Sequence, residues 1–306
     1  MISGKGGVQK TSTTANLAGE VARVGYKVLA IDLDLSGNLG LDLGYADRSE
    51  ADRGMGLVMA MAQDTDVPVL KDVRANLDVI PGGSRLTMLK SIKDLPEVQE
   101  QGGLTRLFAR KLAELIEREG YELVIIDSAP GNFDPTLQDI SLAAARHVVI
   151  PTRTDPGSWD GIAGIGPKVA DARRNGNPEI EYLGILIVGN QSQATGILKI
   201  TRVFLNEAFG GKVPVLDTRL RYSEAVAQQC RIRGQLANEL AKDAAAEGAT
   251  RLEALREARR SGDVLQLPPA LSRTSESLGD DYRELTREIL MRIAAHESTT
   301  PIAKGQ

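Results

Sequence analysis

The chain has 306 residues, 42% of them hydrophobic and 25% charged, and a net charge of −4. These are ordinary proportions for a soluble globular protein, enough for one large α/β domain or two small ones. They exclude nucleic-acid binding through bulk charge, which leaves only a local basic patch for it. The single cysteine, Cys230, excludes an internal disulfide framework, disfavours a cysteine-ligated cluster within one subunit and points to the reducing cytoplasm. No apolar run reaches the ~18 residues of a transmembrane helix, and no signal peptide fits the start. Aromatics are only 4%, so the core must be mainly aliphatic.

The first element is a loop. Residues 4–11 read Gly-Lys-Gly-Gly-Val-Gln-Lys-Thr. Glycine-rich backbone presents N–H groups that cradle phosphate oxygens, and a helix starting here aims its positive end at the anion. Lys10 is placed to reach the β- and γ-phosphates and the Thr11 hydroxyl to ligate Mg²⁺. Gly4, Lys5, Gly6, Gly7, Val8, Gln9, Lys10, Thr11 and Ser12 are therefore the candidate nucleotide contacts. Gln9 stands where the usual pattern has its second glycine, and Lys5 has no place in the basic scheme. A phosphate loop normally follows a strand, yet three residues precede Gly4. An N-terminal truncation or a misplaced start is the expectation.

Further along, short apolar runs alternate with helical patterns. Strands are expected at 27–32, 77–80, 123–127, 147–151, 183–188 and 213–216, and helices most clearly at 12–24, 104–119 and 200–208. Uninterrupted Val/Ile/Leu strands separated by helices predict an α/β fold with a mostly parallel, twisted sheet covered on both faces. Ligands in such sheets bind beyond the carboxyl ends of the strands, where Asp32 and Asp127 lie. Residues 235–260 read as one or two surface helices interrupted at Gly248, 261–281 as a long loop and 281–296 as a final amphipathic helix. The tail from 297 to 306 reads as frayed.

Six stretches together resemble the ParA/MinD family of deviant Walker A ATPases. Lys5–Thr11 is similar to its phosphate loop, and Asp32-Leu-Asp34-Leu-Ser-Gly-Asn38 to its Asp-x-Asp-Pro-Gln-Gly-Asn segment. Tyr121–Pro130 resembles its Walker B strand, Pro151–Gly161 its distal pocket segment, and Arg221–Ala225 its Arg-Leu-x-Glu-Ala segment; Asp281–Leu290 is similar to its last helix. The resemblance implies a single P-loop NTPase domain over 1–306, with residues 235–278 as an insertion. It implies ATP and Mg²⁺ as cofactors. Lys5, Lys10 and Asp34 would be catalytic: Lys5 reaching into a partner subunit's site in an ATP-bound sandwich dimer, Asp34 orienting the attacking water. Thr11, Asp32 and Asp127 would hold the metal, and Asn190 would contact adenine. Leu35-Ser36 departs from the family's Pro-Gln and puts the movement of that segment in question.

The short ParA type, without an N-terminal DNA-binding domain, is the nearest branch. It implies an ATP-dependent homodimer that binds nonspecific DNA near the nucleoid and is released by a ParB-type partner. Candidate DNA contacts are Lys199, Arg202, Arg219 and Arg221, with Arg231 and Arg233 beside them. A MinD-like positioning ATPase on a membrane or protein cargo is the alternative, and a nucleotide switch with negligible turnover a third. The last helix lacks Trp and Phe, which argues against a membrane anchor.

Overall fold

The computed structural model describes residues 1–131, 135–190, 195–261, 270–272 and 274–299. Strands are β1 (Val28–Leu33), β2 (Leu70–Arg74), β3 (Leu77–Ile80), β4 (Leu123–Ser128), β5 (His147–Thr152), β6 (Glu181–Asn190) and β7 (Val215–Arg221). The helices are α1 (Lys10–Arg23), α2 (Asn38–Asp42), α3 (Met55–Gln63), α4 (Leu89–Ile92), α5 (Pro96–Glu100), α6 (Leu104–Glu119) and α7 (Pro135–Ala144). They continue with α8 (Pro156–Ala163), α9 (Ile165–Arg174), α10 (Thr195–Ala208), α11 (Glu224–Arg233), α12 (Ala237–Ser261) and α13 (Thr274–Thr299).

The strands run in the orders β2-β3-β1-β4 and β5-β6-β7. All pairs are parallel except β2 with β3. The two sets are joined by the first residues of the chain. The Met1 α-amine donates to Ile126 O at 2.8 Å, Ser128 N donates to Met1 O and Ile2 N donates to Val149 O, so a stub of strand bridges β4 and β5. Burial pushes that amine down to about 5, against the pull of Asp127.

Each face of the sheet is covered, as near-continuous apolar strands require. Leu17, Ala18 and Val21 of α1 pack with Tyr282, Leu285 and Ile289 of α13 on one face. On the other face Leu57 and Met61 of α3 meet Leu107, Phe108 and Leu112 of α6 and Leu137 of α7. Helix α6 shows why it forms: its buried residues recur at helical spacing, and Gly120 ends it in the left-handed region with φ 68°.

The expected α/β class and six strand positions are found within a few residues, and α6 at its expected bounds. Three expectations change. Strand β2 is absent from the expected strands, because Leu-Lys-Asp-Val-Arg lacks an apolar run; it is a half-exposed edge strand. Helix α12 passes through Gly248 without a break, and α13 begins at Thr274, inside the expected loop. Residues 262–269 and 300–306 lie outside the described residues, including most of the expected frayed tail.

Strand β7 ends the sheet, and α13 closes that edge. The Glu288 carboxylate accepts from Asp217 N at 2.9 Å and Thr218 N at 2.8 Å, and Asp281 accepts from Arg221 N at 3.0 Å. An open edge would template pairing with another chain, so these carboxylates replace the missing strand. Burial alone would raise the Glu288 carboxyl, but the two N–H donors and Arg292 outweigh it and hold it below its ordinary value. Its stabilisation is therefore complete above the unfolded value of 4.5 and is lost as pH falls through the lower folded value. Glu288→Ala should cost about 2–3 kcal/mol at pH 7, since two N–H groups lose their acceptor. The deficit should shrink on acidification in urea titrations at pH 7 and pH 3.

Candidate active site

The loop before α1 and the ends of β1 and β4 frame a cleft of about 590 Å³. Its walls are residues 5–12, Asp34 to Ser36 with Asn38, Ala129-Pro130 and, from far along the chain, Arg231. Register places Asp32 opposite Asp127 on neighbouring strands. Both are fully buried. Lys10, the first residue of α1, donates to Asp127 Oδ1 at 2.7 Å and lies 3.5 Å from Asp34 Oδ2. Asp34 N donates to Asp32 Oδ1, and the Asp34 carboxylate in turn accepts from Ser36 N and Oγ. The sequence candidates Lys10, Asp32, Asp34 and Asp127 are thus one cluster.

Electrostatics inside the cluster are uneven. Burial, then the charge of Asp127, pushes Asp32 well above the ordinary carboxylate range. Burial would lower the Lys10 ammonium, but the charge and hydrogen bond of Asp127, with Asp34 and Asp32 behind, hold it above its ordinary value. The Oδ2 atoms of Asp32 and Asp127 have no hydrogen-bond partner among the described residues. Two buried carboxylate oxygens without donors, with Thr11 on the wall of the cleft framed by these strand ends, fit a hard divalent cation. Among the described residues no three His, Cys, Asp or Glu side chains converge on a metal position. Mg²⁺ takes one or two carboxylates and draws the rest of its octahedron from phosphate and water.

The loop itself explains two of its residues. Gln9 holds φ 56°, ψ 24° as the residue before α1, the left-handed conformation for which glycine is the usual choice. Gly4 lies against α8: a Cβ there would sit 1.8 Å from Gly161 O. Lys5 is exposed and touches only the lip of the cleft, donating to Gly157 O at 3.4 Å. Asn190 ends β6, but its side chain lies outside the described residues.

The DNA candidates do not form one free basic patch. Lys199 on α10 and Arg219 on β7 are exposed. Arg202 donates to Leu216 O and Asp217 O, and Arg221 pairs with Asp281 at 3.2 Å, so both are committed to holding helices against β7. Arg233 pairs with Asp243. Arg231 lines the nucleotide cleft instead. Its partner Asp42 escaped the sequence reading, because the pair is 189 positions apart and no local motif marks it. Cys230, half-buried, has its thiol pushed up to about 12 by burial, which makes it unreactive.

Residues 1–182 match a domain family described as an AAA domain. The chain is 32% identical over 223 residues to the chromosome-partitioning ATPase Soj of Thermus thermophilus, covering 72% of this chain and 81% of that protein. It is 29% identical over 257 residues to the sporulation initiation inhibitor protein Soj of Bacillus subtilis, covering 80% and 96%. Among solved structures, the ATP complex of a Cyanothece McdA variant superposes with a TM-score of 0.65 at 18% identity, covering 94% of each chain. At that identity the likeness is one of fold.

Two substitutions probe the cluster and the loop. The folded pKa of Asp32 lies above its unfolded value, so between the two the native state holds the extra proton and stability falls as pH rises. Asp32→Asn should therefore raise the Tm at pH 7 in EDTA while weakening Mg²⁺-dependent nucleotide binding. A lower Tm in thermal denaturation would contradict the electrostatic account. Gln9→Gly should stabilise the protein by about 1 kcal/mol through relief of the left-handed backbone, with nucleotide affinity retained in a titration.

Proposed function

This chain belongs to the AAA-domain family that includes the Soj and ParA partitioning proteins, and on that premise we propose that it drives DNA segregation by a nucleotide-gated dimer cycle. It is an ATPase that works with ATP and Mg²⁺. The observation that carries the reading is the buried cluster of Lys10, Asp32, Asp34 and Asp127 beneath a glycine-rich loop.

Phosphoryl transfer needs positioning and charge neutralisation more than covalent help. The loop amides and Lys10 bind the phosphate chain, with phosphate oxygens replacing Asp127 and Asp34 as partners of the Lys10 ammonium. Thr11, Asp32 and Asp127 would hold Mg²⁺, which would supply charge neutralisation for the transferred phosphoryl group. Asp34, partly exposed beside Lys10, accepts a hydrogen bond from the attacking water and orients it. Lys5, exposed at the lip of the cleft, extends into the site of a second copy and stabilises charge there, as an arginine finger does. The ATP dimer binds nonspecific DNA through exposed lysine and arginine, Lys199 and Arg219 first. A ParB-type protein triggers hydrolysis and release, and the protein is cytoplasmic and associated with the nucleoid.

A membrane-positioning role is not favoured. The apolar side of α13 is spent on the core, with Leu285 and Ile289 buried. None of the described helices is long and apolar enough to cross a membrane.

Co-sedimentation with nonspecific DNA tests the cycle. Retention should require ATP, fail with ADP and fall steeply with salt. Lys10→Ala should abolish it. Asp34→Ala should keep retention while turnover drops by roughly 10²-fold or more. Retention that ignores nucleotide, or normal turnover in Asp34→Ala, would overturn the reading.

A further inference from the structure

Arg231 is the cleft residue that the P-loop scheme does not use. It lies in the last turn of α11, and its Nε donates to Asp42 Oδ1 at 2.8 Å. The other oxygen of Asp42 accepts from Ser12 Oγ, also at 2.8 Å. Asp42 is 6% exposed, so both bonds are shielded from water, whereas the Arg231 side chain is 40% exposed. Its two Nη groups have no hydrogen-bond partner among the described residues. The guanidinium is thus fixed at one edge and presents its fork from the cleft wall.

Helical geometry says which end of a nucleotide it faces. Successive side chains of α1 are turned by about 100°, so Ser12 points roughly 200° away from Lys10. Lys10 and its carboxylates occupy the β/γ-phosphate side. Ser12, Asp42 and Arg231 occupy the other side of the helix start, so a nucleotide whose terminal phosphates meet Lys10 would turn its α-phosphate and nucleoside toward them. A planar fork anchored through Nε offers two parallel donors to phosphate oxygens, which a lysine cannot reproduce.

The surroundings make this anchor stiff. Gly234, which caps α11, touches Gly44 just after α2: a Cβ on Gly234 would lie 2.4 Å from the Gly44 Cα. Arg74 donates to Leu43 O and Gly234 O and pairs with Glu239 at the start of α12. Ala237 N donates to Asn16 Oδ1 on α1 at 2.9 Å. The end of α11 is therefore held to α2 and the start of α12 to α1, and the Arg231 guanidinium arrives at a set position.

We propose that Arg231 binds the α-phosphate end of the nucleoside di- or triphosphate, with Asp42 and Ser12 as the positioning residues that aim it. The inference rests on the ATPase reading and adds to it a contact shared by substrate and product. ADP and ATP both carry the α-phosphate, so both should feel its loss equally. A charge-assisted hydrogen bond contributes about 1.5–3 kcal/mol, or roughly ten- to a hundredfold in affinity.

The test is titration of the purified full chain with fluorescent ATP and ADP analogues in Mg²⁺ buffer. Arg231→Ala should weaken both about equally, by ten- to a hundredfold, and Arg231→Lys should restore little. Asp42→Asn should weaken both by a smaller factor with Arg231 intact. Circular dichroism must show native folding, and DNA retention at saturating ATP should stay at the wild-type level. A well-folded Arg231→Ala protein with both affinities within twofold of wild type overturns the inference. So does loss of ATP affinity alone, or loss of DNA retention at saturating ATP. Wild-type protein that binds neither nucleotide would instead overturn the ATPase reading itself.

Discussion

Two carboxylates side by side in a protein interior repel each other and resist desolvation, and much of this molecule follows from having them. Asp32 and Asp127 end adjacent parallel strands at matched register, with no exposed surface between them. Such a pair persists only with positive charge close by. Lys10 gives one charge, which ties the phosphate loop to β4 at 2.7 Å. Burial, and then the charge of Asp127 that Lys10 only partly offsets, pushes Asp32 upward. The cluster is thus under-neutralised by the chain's own Lys10, and the divalent cation proposed above would complete it. Stability and function oppose each other at this point, as is common where a site is built to bind charge.

What the sequence disclosed depended on range. Continuous apolar runs marked β1, β3, β4, β5 and β6, because a buried parallel strand has no polar face to disguise it. Strand β2 carried Lys71, Asp72 and Arg74, which an edge tolerates and a core strand does not. Gly248 looked like a break, yet alanine, glutamate and arginine on both sides favour helix, and one glycine costs only about 1 kcal/mol there. Packing of α12 along α13 outweighs that. The loop, Asp32, Asp34 and Asp127 were legible because their chemistry is local to strand ends and a glycine-rich turn. The Arg231–Asp42–Ser12 chain was not, since only the folded chain brings α11 beside α2.

Helix α13 illustrates why amphipathic pattern alone could not assign a role. Its apolar residues pack against α1, and its acids serve the sheet: Asp281 and Glu288, seven positions apart and so two turns along the helix, accept from the N–H groups of Arg221 and of Asp217 and Thr218 on β7. Arg221 and Arg292 then balance those acids. The basic residues that suggested a nucleic-acid surface are in part counter-charges for an edge seal. This narrows the surface available to a polyanion to residues such as Lys199 and Arg219, which hold no such structural post.

The two loop lysines make the sharpest contrast. Lys10 is 6% exposed and locked among carboxylates. Lys5, five positions earlier, stands in solvent with one 3.4 Å hydrogen bond to a carbonyl. An exposed contact of that kind contributes little, on the order of 0–1 kcal/mol, and is readily exchanged. The backbone beneath it is another matter, because Gly4 fits so closely under Gly161 that no side chain could enter. A clamped main chain carrying a free, long cation is poorly suited to holding its own subunit together. It is well suited to delivering charge to a fixed point on a second molecule, the role proposed for it above.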